Sequence, residues 1–250
     1  MKKQIVPKLQ RKTVVSALDE GERLDGRDFY EYRDIEIKTG ELGRAEGSAI
    51  AKIGNTQVAC GVKIGTGEPY PDSPDEGILR SGAELVPLAS SLFETGPPRE
   101  EAIELARVVD RGIRESGAID FSELCITPGE EVMSVAVDSY VLDHDGNFMD
   151  TSALGAIAAL WDTEIPDFGK LPIKKKPIAN TFAKINDHII LDPVKEEEEV
   201  LDARLTIAIE DNNKVCAMQK GGSGYWMKDE VLECVDVAVD TTKELRKLLK

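Results

Sequence analysis

Apolar and polar residues alternate from Gly43 to Ile53 and again from Thr56 to Ile64, with Gly54-Asn55 between them. Alternation on both sides of a two-residue turn predicts a β-hairpin. A second pair, Leu201–Ile209 and Lys214–Gln219, is joined across Asp211-Asn212-Asn213 and predicts another. Glu130–Leu142 alternates as a strand, and shorter strands are predicted at Arg33–Thr39, Ile178–Ile185 and His188–Leu191. After Pro97-Pro98 the period becomes helical: over Arg99–Ser116, Ile103, Val109 and Ile113 recur with Ala102 and Ala106 near them. Asp229–Leu249 predicts a terminal amphipathic helix, and Thr13–Glu20 a short one. Ser152–Leu160 is small and apolar throughout, rich in Ala and Gly, which suits a helix packed closely against a neighbour. Gly65–Gly82, dense in Gly, Pro and acidic residues, predicts a long exposed loop.

Strands paired in hairpins, with helices set apart from them, give an α+β fold rather than a parallel, doubly wound sheet. The hairpins IAKIGNTQVACGVKIG (Ile50–Gly65) and IAIEDNNKVCAMQKGG (Ile207–Gly222) also resemble each other. Ile-Ala, Asn, Val, Cys and Lys recur nearly in register, and a helix follows each. This suggests a duplicated strand-strand-helix unit; the competing reading is that any two hairpins with small turns look alike. The expectation is one domain over 1–250, with internal halves near 20–120 and 130–250.

A chain of 250 residues, 41% hydrophobic and 31% charged, has material for a substantial core. Its net charge of −16 argues against generic binding to a polyanion or an anionic membrane, and leaves room for a local basic patch. No run is long and apolar enough to span a bilayer, and MKKQIVPKLQRK lacks the apolar core of a secretory leader, so a cytoplasmic location is expected. The four cysteines, Cys60, Cys125, Cys216 and Cys234, form no CxxC and read as reduced core thiols. With two histidines, His144 and His188, a zinc site is not expected, and no cofactor is.

Two stretches carry candidate chemistry. The turn Asp145–Asp150 leads into the apolar helix. A helix N-terminus can hold phosphate, but this one carries Asp145 and Asp150 and no Arg or Lys, with Asp150 placed to cap the helix by its own carboxylate. Arg107, Arg111 and Arg114, at i, i+4 and i+7, form one stripe of the 99–116 helix, with Arg99 two turns earlier. Each guanidinium offers a planar fork for phosphate oxygens. The alternative is pairing within the helix, Glu104 with Arg107 and Asp110 with Arg114. Lys195–Glu199, with Asp202 beyond, has oxygen ligands for a divalent metal, but a solvated loop is the favoured reading. Lys174–Lys176 reads as a solvated turn. Gly221-Gly222-Ser223-Gly224 reads as a flexible joint, without the Lys-Ser/Thr of a nucleotide-binding loop. No spacing suggests a Ser/His/Asp or Cys/His set.

Several stretches in combination resemble the RNase PH family: RLDGR (Arg23–Arg27), GSAIAKIGNTQVACGV (Gly47–Val62), ELARVVDRGIRESGAID (Glu104–Asp120) and VDSYVLDHDGN (Val137–Asn147). The loop PYPDSPDEG (Pro69–Gly77), the arginine helix and the DGN turn are most similar to the non-catalytic RNase PH-like subunit of the archaeal exosome. The resemblance implies the RNase PH fold (ribosomal protein S5 domain 2-like), with mixed sheets and helices. It further implies an alternating hexameric ring of three heterodimers with a catalytic RNase PH-like subunit, RNA-binding cap subunits, and 3′ to 5′ phosphorolysis of single-stranded RNA. Catalytic members carry Asp-Gly-Gly-Thr-Arg-Thr at the turn; here Met149 stands at the Arg position and Asp150 after it. Glu100-Glu101 replaces their Arg pair, Asp202 matches one of their two carboxylates, and Glu196 or a neighbour only loosely matches the other. The resemblance therefore implies an inactive subunit that scaffolds its partner and lends Arg107, Arg111 and Arg114 to the RNA backbone. The alternative is that the chain is itself an active phosphate-dependent 3′ exoribonuclease.

Overall fold

The computed structural model describes residues 8–249. The helix α1 (Lys8–Asp19) comes first, then strands β1 (Ile35–Thr39), β2 (Gly47–Ile53), β3 (Thr56–Gly67) and β4 (Ile78–Leu85), and helix α2 (Glu100–Ser116). There follow β5 (Cys125–Thr127), β6 (Glu131–Asp143), α3 (Phe148–Asp162), β7 (Glu164–Ile165), β8 (Gly169–Lys170), β9 (Ile178–Ile185), β10 (His188–Leu191) and α4 (Lys195–Glu198). The chain closes with β11 (Ala203–Ile209), β12 (Val215–Gly222) and α5 (Lys228–Leu245). The start of MKKQIVPKLQRK lies outside the described residues; its end belongs to α1.

Both predicted hairpins form. Ile53 faces Thr56 across Gly54-Asn55, and Ile209 faces Val215. The first sheet has the order β1-β2-β3-β6-β4, with β5 added on β6. The second has the order β10-β9-β11-β12, and β7 and β8 form a separate ribbon. β6, from beyond residue 130, therefore sits inside the first sheet, antiparallel to β3 and parallel to β4. The expected loop Gly65–Gly82 is shorter than its composition suggested. β3 runs on to Gly67 and β4 starts at Ile78, so only the stretch 68–77 connects them. The register explains a glycine inside β4: a Cβ at Gly82 would lie 2.3 Å from an Asp138 carboxylate oxygen on the neighbouring strand.

α2 and α3 lie between the sheets. Val58, Cys60 and Val62 of β3 and Val135, Val137 and Val141 of β6 point into one cluster with Leu105, Val109 and Ile113 of α2 and Leu154, Ala156 and Ile157 of α3. α3 is apolar all round and buried over nearly its whole length, as a helix covered on every side must be. It approaches β2 and β3 so closely that a Cβ at Gly155 would meet the Cys60 sulfur at 2.8 Å. On the far side it packs on β9, whose eight residues are all buried because α5 covers the opposite face. Asn180 Nδ2 donates to Thr242 of α5 at 2.9 Å, while Thr181, the next residue, reaches Asp150 of α3. A strand covered on both faces has no polar alternation to display.

Candidate functional site

The face of α2 opposite its buried line carries the arginine stripe. Its three members are held differently. Arg107 is exposed and makes no hydrogen bond or ion pair with any described residue. Glu104, its predicted helical partner, instead pairs with Arg204 of β11 at 2.7 Å. Arg111 is half-buried; it donates to Gln219 Oε1 at 3.2 Å and to the Met218 carbonyl at 2.9 Å. Arg114 takes the Asp110 carboxylate at 3.1 and 3.0 Å, donates to the Leu79 carbonyl at 3.2 Å and lies 6.0 Å from the Phe121 ring centre. Pairing within the helix thus holds for Arg114 and not for Arg107. Arg107 and Arg111 border a cleft of about 480 Å³ between α2 and the edge strand β4, lined also by Ser81, Gly82, Ile103 and Ala106. Arg99 stands at the N-cap and pairs with Glu94. Glu100 and Glu101, in the first turn, favour the positive end of the helix.

At the second candidate, the capping residue is Asn147 rather than Asp150. Asn147 adopts a left-handed backbone (φ 51°) and its side-chain oxygen accepts from the Asp150 N–H at 3.3 Å. Asp150 is turned inward. Its carboxylate accepts from Tyr32 at 2.6 Å, the Thr181 N–H at 2.8 Å, the Thr181 hydroxyl at 2.6 Å and Asn147 Nδ2 at 2.9 Å. Burial pushes its pKa up to about 6 in spite of these donors, which favour the charged form. Residues 147–152 are all buried, so the turn presents no open cradle. The anion beside it comes from α4: Glu198 Oε1 accepts the Asn147 N–H at 2.8 Å. Burial pushes Glu198 up to about 7. His144, packed flat on Phe93, is held down to about 4 by burial and by Lys195.

The acidic run is not the solvated loop its composition suggested. Glu197 is fully buried against Arg23 at 2.6 Å, and Glu198 is enclosed at the turn; Glu196 alone in the run is exposed. Asp192, also buried, receives Arg33 at 2.8 Å, Arg27 at 3.0 Å and Asn147 Nδ2 at 2.7 Å. Burial opposes its charge, but the Arg33 guanidinium keeps the carboxyl below its usual range. Arg33 also donates to the Asp145 and Gly146 carbonyls at 2.6 and 3.2 Å. Arg33 therefore ties the α3 turn to the loop after β10, and Arg23 and Arg27 hold that loop from the same segment. Sequence reading missed this clamp. Its local signal was three Arg within eleven residues; Arg27 also pairs with nearby Asp25 at 2.7 Å, but Arg23 and Arg33 find their carboxylates 174 and 159 positions away.

Other expectations need smaller corrections. Lys174–Lys176 is no simple solvated turn: Lys175 pairs with Glu210, and the Lys176 ammonium lies 3.7 Å from the centre of the Trp161 ring. Gly221 and Gly222 belong to β12, and a Cβ at Gly222 would lie 2.7 Å from the Asp202 carbonyl, so this stretch is held rather than loose. Asp202 pairs with Arg11 of α1 at 2.9 Å. All four cysteines are free thiols; Cys60 and Cys234 are buried and pushed up to about 12 by burial, while Cys125 and Cys216 are only half-buried. Among the described residues no helix is long and apolar enough to cross a membrane.

This architecture has close counterparts. The chain is 48% identical to the exosome complex component Rrp42 of Thermococcus gammatolerans, covering 98% of this chain and 96% of the relative. It is equally similar, at 48%, to the component of that name from Methanocella arvoryzae, covering 100% and 99%. A chain in the structure of the Archaeoglobus fulgidus exosome with RNA bound to the active site superposes with a TM-score of 0.95 at 47% identity, over 99% of this chain and 100% of that one. A chain of an archaeal exosome core does so with a TM-score of 0.90 at 43% identity, over 100% and 99%. Models of domain 1 and domain 2 of the 3′ exoribonuclease (RNase PH) family match residues 31–166 and 176–241. With both family domains matched over most of its length, the chain is a member of the RNase PH, 3′ exoribonuclease, family.

Proposed function

We propose that this chain is a non-catalytic subunit of an exosome-type ring that degrades RNA from its 3′ end by phosphorolysis. Bond breaking belongs to a catalytic RNase PH-like partner, alternating with this chain in three heterodimers beneath RNA-binding cap subunits. This chain scaffolds the partner and supplies one wall of the RNA path. The observation that carries the proposal is the state of the α3 turn. A phosphorolytic site needs a cation and free donors where phosphate charge must be held. Met149 stands at that cation position, residues 147–152 are buried, and the nearest helix-terminal donor is already taken by Glu198.

The arginine helix supports the positive half of the reading. Arg107 and Arg111 border one cleft, and the Arg114 pair with Asp110 is partly exposed, so it can be exchanged for a phosphate. Such contacts position a strand without reading its bases. The test is direct: the purified chain, given single-stranded RNA, Mg²⁺ and phosphate, releases no nucleoside diphosphates, whereas the complex that co-purifies with it does. Robust release by the chain alone would assign the activity to this subunit.

A further inference from the structure

Of the three arginines, Arg111 is the one held only by groups outside its own helix, whereas Arg114 is also paired with Asp110 of α2. Its guanidinium donates to Gln219 Oε1 at 3.2 Å and to the Met218 carbonyl at 2.9 Å, both on β12. The Gln219 amide is itself oriented, because its Nε2 donates to Glu104 Oε1 at 3.2 Å. That carboxylate is in turn held by Arg204 of β11 at 2.7 Å. Arg204, Glu104, Gln219 and Arg111 thus form one chain of charge-assisted bonds. Its direction is fixed by chemistry: with the amide nitrogen committed to an anion, only the amide oxygen is left to face the cation.

The helix does not need this chain to stay in place. α2 is seated by Leu105, Val109 and Ile113, buried in the main core. The chain of bonds ends on the cleft wall, at a guanidinium with two of its five N–H donors given to these protein acceptors. Two bonds on one side fix the plane of the fork and leave the other side to a ligand. A free arginine must lose several rotamers on binding, at a cost in affinity; Arg107, exposed and unpaired among the described residues, has that cost ahead of it.

We propose that Gln219, with Glu104 and Arg204 behind it, is a positioning residue that presents the Arg111 guanidinium to a phosphate of the RNA backbone. The proposal rests on the reading of the α2 stripe as an RNA contact. The test is a double-mutant cycle on the co-purified complex, in phosphate- and Mg²⁺-free buffer, with a fluorescein-labelled single-stranded oligoadenylate as probe.

Arg111→Ala is expected to weaken binding and to lower the slope of log affinity against log salt by roughly one. Gln219→Ala is expected to weaken binding about threefold while keeping the slope, since no charge is lost. In the Arg111→Ala background Gln219→Ala adds nothing, and in an Arg107→Ala background it costs its full threefold. Glu104→Gln, which frees the amide to turn over, shows the same dependence on Arg111. A merely structural role for Gln219 would cost the same in every background, and that result overturns the proposal while leaving the RNA contact intact. If Arg111→Ala binds like the parent, the RNA reading of that residue falls and the positioning role falls with it.

Discussion

Glu197→Ala removes one carboxylate from the pair it forms with Arg23, and the structure sets the size of the effect. The two side chains are 1% and 0% exposed. Glu197 accepts from Arg23 at 3.0 and 2.6 Å and from the Val194 N–H at 2.9 Å. Arg23 keeps bonds to the Leu191 and Asp192 carbonyls at 2.9 and 3.0 Å, but loses its counter-charge with no solvent to replace it. Breaking a buried pair from one side costs about 3–5 kcal/mol, most of it the uncompensated charge left behind. At roughly 2–4 °C per kcal/mol for a chain of this size, the melting temperature should fall by about 6–20 °C. Thermal unfolding of the purified chain, followed by circular dichroism at neutral pH, reads this. Glu196→Ala, at the exposed neighbour, is the control and should stay within about 0.5 kcal/mol of the parent. Replacing both partners by apolar residues of similar volume should recover most of the loss. A fall of less than about 3 °C for Glu197→Ala would refute the reasoning, because Arg23 would then have found water or another anion.

Three further outcomes can be measured. Arg107→Glu should leave thermal stability within about 0.5 kcal/mol of the parent, while weakening RNA binding by the assembled complex and flattening its salt dependence; unchanged binding in a filter or anisotropy assay would remove Arg107 from the RNA path. Asp110→Ala releases Arg114 from a partly exposed pair and should tighten RNA binding about twofold, in line with the few tenths of a kcal/mol such pairs are worth; weaker binding would contradict it. Glu198 has a folded pKa of about 7, above its ordinary 4.5, so the stability it contributes is full below pH 4.5 and is lost as pH rises through 7. Glu198→Gln should therefore gain on the parent as pH rises, by roughly 1–3 kcal/mol at pH 8 in urea unfolding, with no advantage at pH 4.5; a difference independent of pH would show that Glu198 is not the titrating group.

Much of the fold could be read along the chain because its signals were local. Gly54-Asn55 between alternating runs is a turn whatever surrounds it, and the spacing 107, 111, 114 puts three arginines on one stripe of any helix. Elsewhere the local signal misled. Ile78–Gly82 looked like the end of a Gly-rich loop; it begins a strand because β6 pairs with it in parallel, and a Cβ at residue 82 would crowd the Asp138 carboxylate. KEEEE looked solvated because its cation, Arg23, lies 174 residues away in sequence. Asp150 looked like a cap, but Tyr32 and Thr181 draw it inward and Asn147, able to adopt a left-handed backbone, caps in its place.

The sequence by itself determined the α+β class, the two hairpins and the apolar helix. Each follows from residue type and near-neighbour spacing. Only the tertiary structure decided which arginines are committed and which are free, and which carboxylate stands at the mouth of α3. Most of those outcomes depend on groups distant in sequence, as in the bond from Asn147 to Glu198, 51 residues on. Burial then sets their charge, and burial is a property of the assembled layers rather than of any stretch of chain.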